Sequence, residues 1–136
     1  MSPKKNIMII GDAGVGKTNF IKKILNHNFQ RMYIPTEKIL KYETDSYIIY
    51  DYPGQIKFNI TLPSDIDLFI VIFDVTSILS YNSIDFWHRA IKLAGNADMK
   101  IIGNKIDIQN YIKVHNDYKG ISCRTSSREE LLEILQ

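Results

Sequence analysis

The stretch GDAGVGKT, residues 11–18, restricts this chain more than any other part of it. It fits G-x-x-x-x-G-K-[ST] at Gly11, Gly16, Lys17 and Thr18. Just upstream, NIMII (6–10) is a continuous apolar run, the form of a strand buried on both faces. Just downstream, KTNFIKKILNH (17–27) puts Phe20, Ile21, Ile24 and Leu25 on one helical stripe. A strand entering such a loop and a helix leaving it is the context that gives the motif meaning. Glycines let successive backbone N–H groups turn inward around phosphate oxygens. The helix N-terminus adds partial positive charge. Lys17 is placed to reach the β- and γ-phosphates of a nucleoside triphosphate, and Thr18 to ligate magnesium through its hydroxyl.

The remaining pattern alternates strands with helices. EKILKYE and SYIIYD, within 37–51 and joined by TD, read as an antiparallel pair with a tight turn. LFIVIFD (68–74) reads as a buried strand. SYNSIDFWHRAIKLAG (80–95) reads as a helix with Ile84, Trp87, Ile91 and Ala94 on its core side and Gly95 at its end. MKIIGN (99–104) is a further buried strand, and KGISC (119–123) a short last one. SREELLEILQ (127–136) opens with Ser127 and Glu130 at capping-box spacing. The expectation is an α/β domain spanning 1–136, with a mostly parallel central sheet and helices on both faces.

Composition excludes several alternatives. A chain of 136 residues sets a prior of one domain, and 45% hydrophobic residues can fill its core. Net charge is +2, which gives no reason to expect nucleic-acid binding. The lone Cys123 builds no disulfide framework and suits a reducing compartment. His27, His88 and His115 lack metal-ligand spacing. No apolar run approaches the ~18 residues of a membrane span. The N-terminal stretch is too quickly interrupted for a signal peptide, Ser2 excludes myristoylation, and no terminal cysteine invites prenylation. A monomeric intracellular protein, of cytoplasm or nucleus and without a membrane anchor, is expected.

NKID (104–107) chooses the base. It follows the strand MKIIG, so it projects at the carboxyl edge of the sheet, where ligands bind. Asp107 offers two carboxylate oxygens to the N1–H and N2 amino donors of guanine, a donor pair that adenine lacks. A buried carboxylate left unpaired is costly, so adenine is rejected. Asn104 can bridge the base edge and the glycine-rich loop, and the Lys105 stem can cover the ring. DYPGQ (51–55) adds an aspartate three residues before a glycine, with a glutamine after it. In nucleotide switches that aspartate serves magnesium, the glycine amide senses the γ-phosphate, and the glutamine orients the attacking water.

On these motifs the sequence resembles the small GTPases of the Ras superfamily, the P-loop NTPase fold in its small-GTPase form. FDVTS (73–77), WHR (87–89), GNKIDI (103–108) and KF (57–58) are most similar to the nuclear-transport (Ran) branch. The resemblance implies GTP or GDP with Mg²⁺. It implies a nucleotide cradle of Asp12, Ala13, Gly14, Val15, Gly16, Lys17, Thr18 and Asn19. It makes Thr36 the threonine that ligates magnesium and touches the γ-phosphate, beside Thr18 and Asp51 as metal ligands. Phe29 packs an aromatic edge on guanine, Tyr33 closes over the phosphates, and Gly54 meets the γ-phosphate. Asn104, Lys105 and Asp107 hold the base. SCR (Ser122, Cys123, Arg124) takes the place of the loop whose backbone amide reads guanine O6. Gln55, Lys17 and Thr36 are the catalytic candidates. Transport receptors, an exchange factor and an activating protein are the implied partners.

The chain is trimmed relative to that family. Between Thr36 and Asp51 there is too little chain for two full strands and an ordinary loop. NITLPSDID (59–67) looks little like the usual helix after the glutamine. The span from Asp107 to Ser122 leaves little room for a helix before the last strand. Such compaction suits a viral or otherwise reduced genome. Pro53 fixes its own φ, restricts Tyr52 and removes an N–H beside Gly54. Ala13 adds a methyl group near the glutamine. Hydrolysis at or below ~3–5 × 10⁻⁴ s⁻¹, the intrinsic rate of Ras, is expected. The alternatives are a non-hydrolysing mimic that competes for transport receptors or exchange factors, and a P-loop ATPase or small-molecule kinase, against which NKID argues.

Overall fold

A strand as apolar as NIMII needs cover on both faces, and the computed structural model provides it. It describes residues 3–25, 30–34, 39–53, 61–108 and 118–136; of 30–34 it describes the strand pairing alone. The strands are β1 (Lys5–Ile10), β2 (Gln30–Ile34), β3 (Ile39–Glu43), β4 (Tyr47–Asp51), β5 (Leu68–Asp74), β6 (Asp98–Asn104) and β7 (Lys119–Gly120). The helices are α1 (Lys17–Leu25), α2 (Ile78–Asn82), α3 (Ile84–Ala94) and α4 (Arg128–Ile134). The sheet order is β2-β3-β4-β1-β5-β6-β7. Strands β4, β1, β5, β6 and β7 pair in parallel, and β3 runs against both of its neighbours.

The two-residue period of the central strands divides the core in two. Ile7, Ile9, Leu68, Ile70 and Ile72 pack with Phe20, Ile21 and Ile24 of α1 and Leu131 of α4. Met8, Ile10, Phe69, Val71 and Phe73 face the other way, onto Ile84, Trp87 and Ile91 of α3. Every residue of β5 is buried, as a continuous apolar run requires. The result is a three-layer α/β/α sandwich, in agreement with the expected fold class.

Four details differ from the sequence reading. β2 was not anticipated; its side of the sheet is built by antiparallel pairing with β3. Two strands of five residues do fit before Asp51. The Thr44 hydroxyl makes that possible by accepting from Ser46 N and Tyr47 N within the turn. The helix expected over 80–95 is two helices, divided at Ser83. The last strand keeps only Lys119 and Gly120: Ile121 N donates the final ladder bond to Gly103 O, and from Ser122 on the chain turns at the sheet's carboxyl edge. The capping box of α4 is present, with Ser127 Oγ accepting from Glu130 N and the Glu130 carboxylate from Ser127 N. Within 61–67 there is no helix; Leu62 and Ile66 are buried there. The segment 109–117 lies outside the described residues.

Candidate nucleotide-binding site

Parallel strands place the ends of β1, β4, β5 and β6 along one edge, and the chemistry collects there. The loop from β1 to α1 depends on its glycines at two points. A Cβ on Gly11 would run into the Ile72 carbonyl oxygen. Gly16 has φ of 104°, and a Cβ there would meet the Asn104 side-chain amide. Lys17 is buried at the mouth of this loop, and its ammonium donates to the Gly11 and Asp12 carbonyls, each at 2.9 Å. Burial lowers the Lys17 pKa, while the Asp51 and Asp12 carboxylates push it back up. A partly desolvated cation beside inward-facing backbone is suited to a polyphosphate.

Thr18 lies in the first turn of α1, and its hydroxyl donates to Asp51 Oδ2 at 3.0 Å. The end of α1 and the end of β4 thus bring two hard oxygen ligands side by side. That pair fits Mg²⁺, which takes few protein ligands and completes its shell with phosphate oxygens and water. The third expected ligand, Thr36, lies outside the described residues, as do Phe29, Gly54 and Gln55. Tyr33 lies in β2, and its pairing partner Leu40 pairs in turn with Asp51. One row of the sheet therefore holds Tyr33 and the metal-ligand candidate.

The base-side residues form a second cluster. Asn104 ends β6 almost fully buried. Its Nδ2 donates to Val15 O at 2.9 Å, and its Oδ1 accepts from Cys123 N at 3.1 Å. One amide side chain thereby ties the glycine-rich loop to the 122–124 loop. Lys105 has a left-handed backbone, φ 70°. Its ammonium donates to Asp74 Oδ2 at 2.8 Å and Gly14 O at 3.2 Å. Asp107 Oδ1 accepts from the Ser122 hydroxyl at 2.8 Å. That bond leaves the other carboxylate oxygen 3.8 Å from the exposed Arg124 guanidinium. Ser122 Oγ in turn accepts from Arg124 N and Thr125 N. Cys123 is half-buried, and burial pushes its thiol pKa up, which makes it a poor nucleophile.

Of the remaining loop residues, Ala13 and Gly14 are exposed, Val15 is buried in the core, and Asn19 is exposed on the first turn of α1. The Asp12 side chain turns to α3 instead of the loop interior, where Ser83 Oγ donates to it at 2.7 Å and Trp87 Nε1 at 3.3 Å. Sequence reasoning missed Asp74 as a site residue. Its signal was the Asp-x-Thr in FDVTS: Asp74 Oδ1 accepts from Thr76 N and Thr76 Oγ1 in a local turn. Parallel register with Asn104 then places it beside the base cluster.

Compared with models of known protein families, the sequence matches the Ras family over residues 6–129, from β1 into α4. The matched span contains the phosphate loop, the Thr18–Asp51 pair and the whole base cluster, so motif, geometry and comparison coincide, and the chain belongs to the Ras family.

Proposed function

We propose that this chain is a single-domain, guanine-specific switch of the Ran type that hydrolyses GTP slowly. Membership of the Ras family makes it a small GTP-binding protein. The observation that carries the guanine reading is the Asn104 bridge, which joins the phosphate loop to the base-side loop beside a Ser122-oriented Asp107. Lys17 neutralises phosphate charge, and Thr18, Asp51 and Thr36 hold magnesium. Held there, the ion would supply positive charge that offsets the charge developing on the phosphate oxygens. Gln55 orients the attacking water, and Thr36 and Gly54 lose their hold when the γ-phosphate leaves.

Slow hydrolysis follows from the backbone around Tyr52 and Pro53. Tyr52 is buried, with its ring edge-on to Trp87 at 6.0 Å. Pro53 then restricts the approach to Gly54. The same two features favour the second reading, a nucleotide holder that does not cycle. FDVTS, WHR and KF support Ran-type partners: transport receptors, an exchange factor and an activating protein. Among the described residues no helix is long and apolar enough to cross a membrane. We place the protein in the cytoplasm or nucleus as a monomer.

A single-turnover assay with excess protein, GTP and Mg²⁺ tests this reading. Conversion to GDP above the buffer blank, abolished in Gln55→Leu with GTP still bound, supports the switch. Retention of unconverted GTP supports the holder. Equal rates for both proteins would remove Gln55 from the mechanism.

A further inference from the structure

The Asp12 carboxylate presents a physical puzzle. It lies in the loop proposed to wrap a polyphosphate, where negative charge opposes binding. Its side chain is instead held by α3. The Ser83 hydroxyl donates to Oδ2 at 2.7 Å, and the indole of Trp87 donates to Oδ1 at 3.3 Å. Ser83 is the N-cap of α3, yet its side chain makes no capping bond to its own helix. A hydroxyl at that position ordinarily accepts from the first turn of its helix. Here it lies between the Asp12 carboxylate at 2.7 Å and the Leu79 carbonyl at 3.1 Å, and the shorter contact is the one to the loop.

The indole is in contact with more than the loop. Trp87 is fully buried, and Tyr52 meets it edge-on at 6.0 Å with the rings inclined at 79°. Tyr52 directly follows Asp51, which accepts the Thr18 hydroxyl. Trp87 therefore touches both the loop that holds phosphate and the strand end that carries the metal-ligand candidate. It is also the sole tryptophan of the chain.

We infer that Asp12 is a positioning residue, which fixes the phosphate loop in its cradle form by anchoring it to Ser83 and Trp87 of α3. The anchor holds the loop against bound nucleotide and slows its departure. Asp12 touches no phosphate through its side chain; it acts through the backbone it holds. The inference rests on the guanine-nucleotide reading of the site.

The test follows dissociation of a fluorescent GDP, excited directly and chased with unlabelled GDP in Mg²⁺. If the wild-type protein does not bind the probe, the nucleotide reading itself fails. Given wild-type binding, Asp12→Asn and Trp87→Phe should each raise the dissociation rate about tenfold, as expected for loss of a charge-assisted hydrogen bond. Association should change less than about twofold, because the anchor acts on a loop already exposed to solvent. The double variant should be no faster than the faster single variant, since both break one linkage. Ser83→Ala paired with Asp12→Asn provides the same cycle should Trp87→Phe fail to fold. Trp87 emission should shift when EDTA strips nucleotide from the wild type, and the shift should vanish in Asp12→Asn. Independent effects that multiply would overturn the proposal. So would unchanged dissociation with a lower melting temperature alone, the mark of a merely structural contact.

Discussion

Asp107 has one carboxylate oxygen engaged by the Ser122 hydroxyl, and that single bond orients the carboxylate proposed to read guanine. Arg124 reaches the other oxygen only at 3.8 Å from an exposed position, so its contribution to that geometry is small. Replacing Asp107 with Ala should therefore weaken GDP binding at least about a hundredfold, while Arg124→Ala leaves it nearly unchanged. Ser122→Ala should fall between, at about tenfold, the loss of one hydrogen bond to a charged group. Calorimetric titration of the three variants checks this ranking. Asp74 makes a separate prediction through pH. Burial pushes its pKa up, but the Lys105 and Thr76 hydrogen bonds outweigh burial and hold the carboxyl below its ordinary value. A carboxyl lowered on folding stabilises the native state above its unfolded pKa, and that stabilisation is lost as pH falls through the folded value. Asp74→Asn should thus melt below the wild type at neutral pH, and the gap should close as pH drops below about 4. A constant gap across that range would exclude the ion pair as its source.

At the level of elements, what was legible in the sequence depended on how local its cause was. β1, the phosphate loop and α1 were readable because apolar period, glycine placement and lysine spacing all lie within consecutive residues. The capping box of α4 was readable for the same reason. Ser127→Ala should cost about 1 kcal/mol in a denaturant titration, with α4 the element that loosens. β2 was not legible, since QRMYI carries no alternation of its own and becomes a strand through its antiparallel partner. The break at Ser83 was equally hidden. Its hydroxyl serves Asp12, seventy-one positions away, and no local pattern announces a bond of that range. β7 is shorter than its sequence suggested because, after Ile121 N bonds Gly103 O, the chain turns at Ser122 and brings Cys123 N to Asn104. The candidate site divides along the same line. Its motifs were visible, while the Asp74–Lys105 pair required the sheet order that puts β5 and β6 side by side, and the Asp12 anchor required the packing of α3 on the sheet.

Among the described residues the molecule is a seven-stranded sheet between two layers of helices, with the candidate phosphate and base clusters at one edge. Its trimming leaves that edge intact among the described residues: the loop, the Thr18–Asp51 pair and the Asn104 bridge are all in place. The central claim is accordingly one of ligand choice: this edge takes a guanine nucleotide and refuses adenine. Displacement of a fluorescent GDP from the full chain in Mg²⁺, by GTP in one titration and ATP in another, tests it most directly. The account predicts displacement by GTP at concentrations near that of the protein. ATP should need a concentration at least about a thousandfold higher, because adenine offers the Asp107 carboxylate no matching pair of donors. Displacement by ATP and GTP at similar concentrations would contradict the claim.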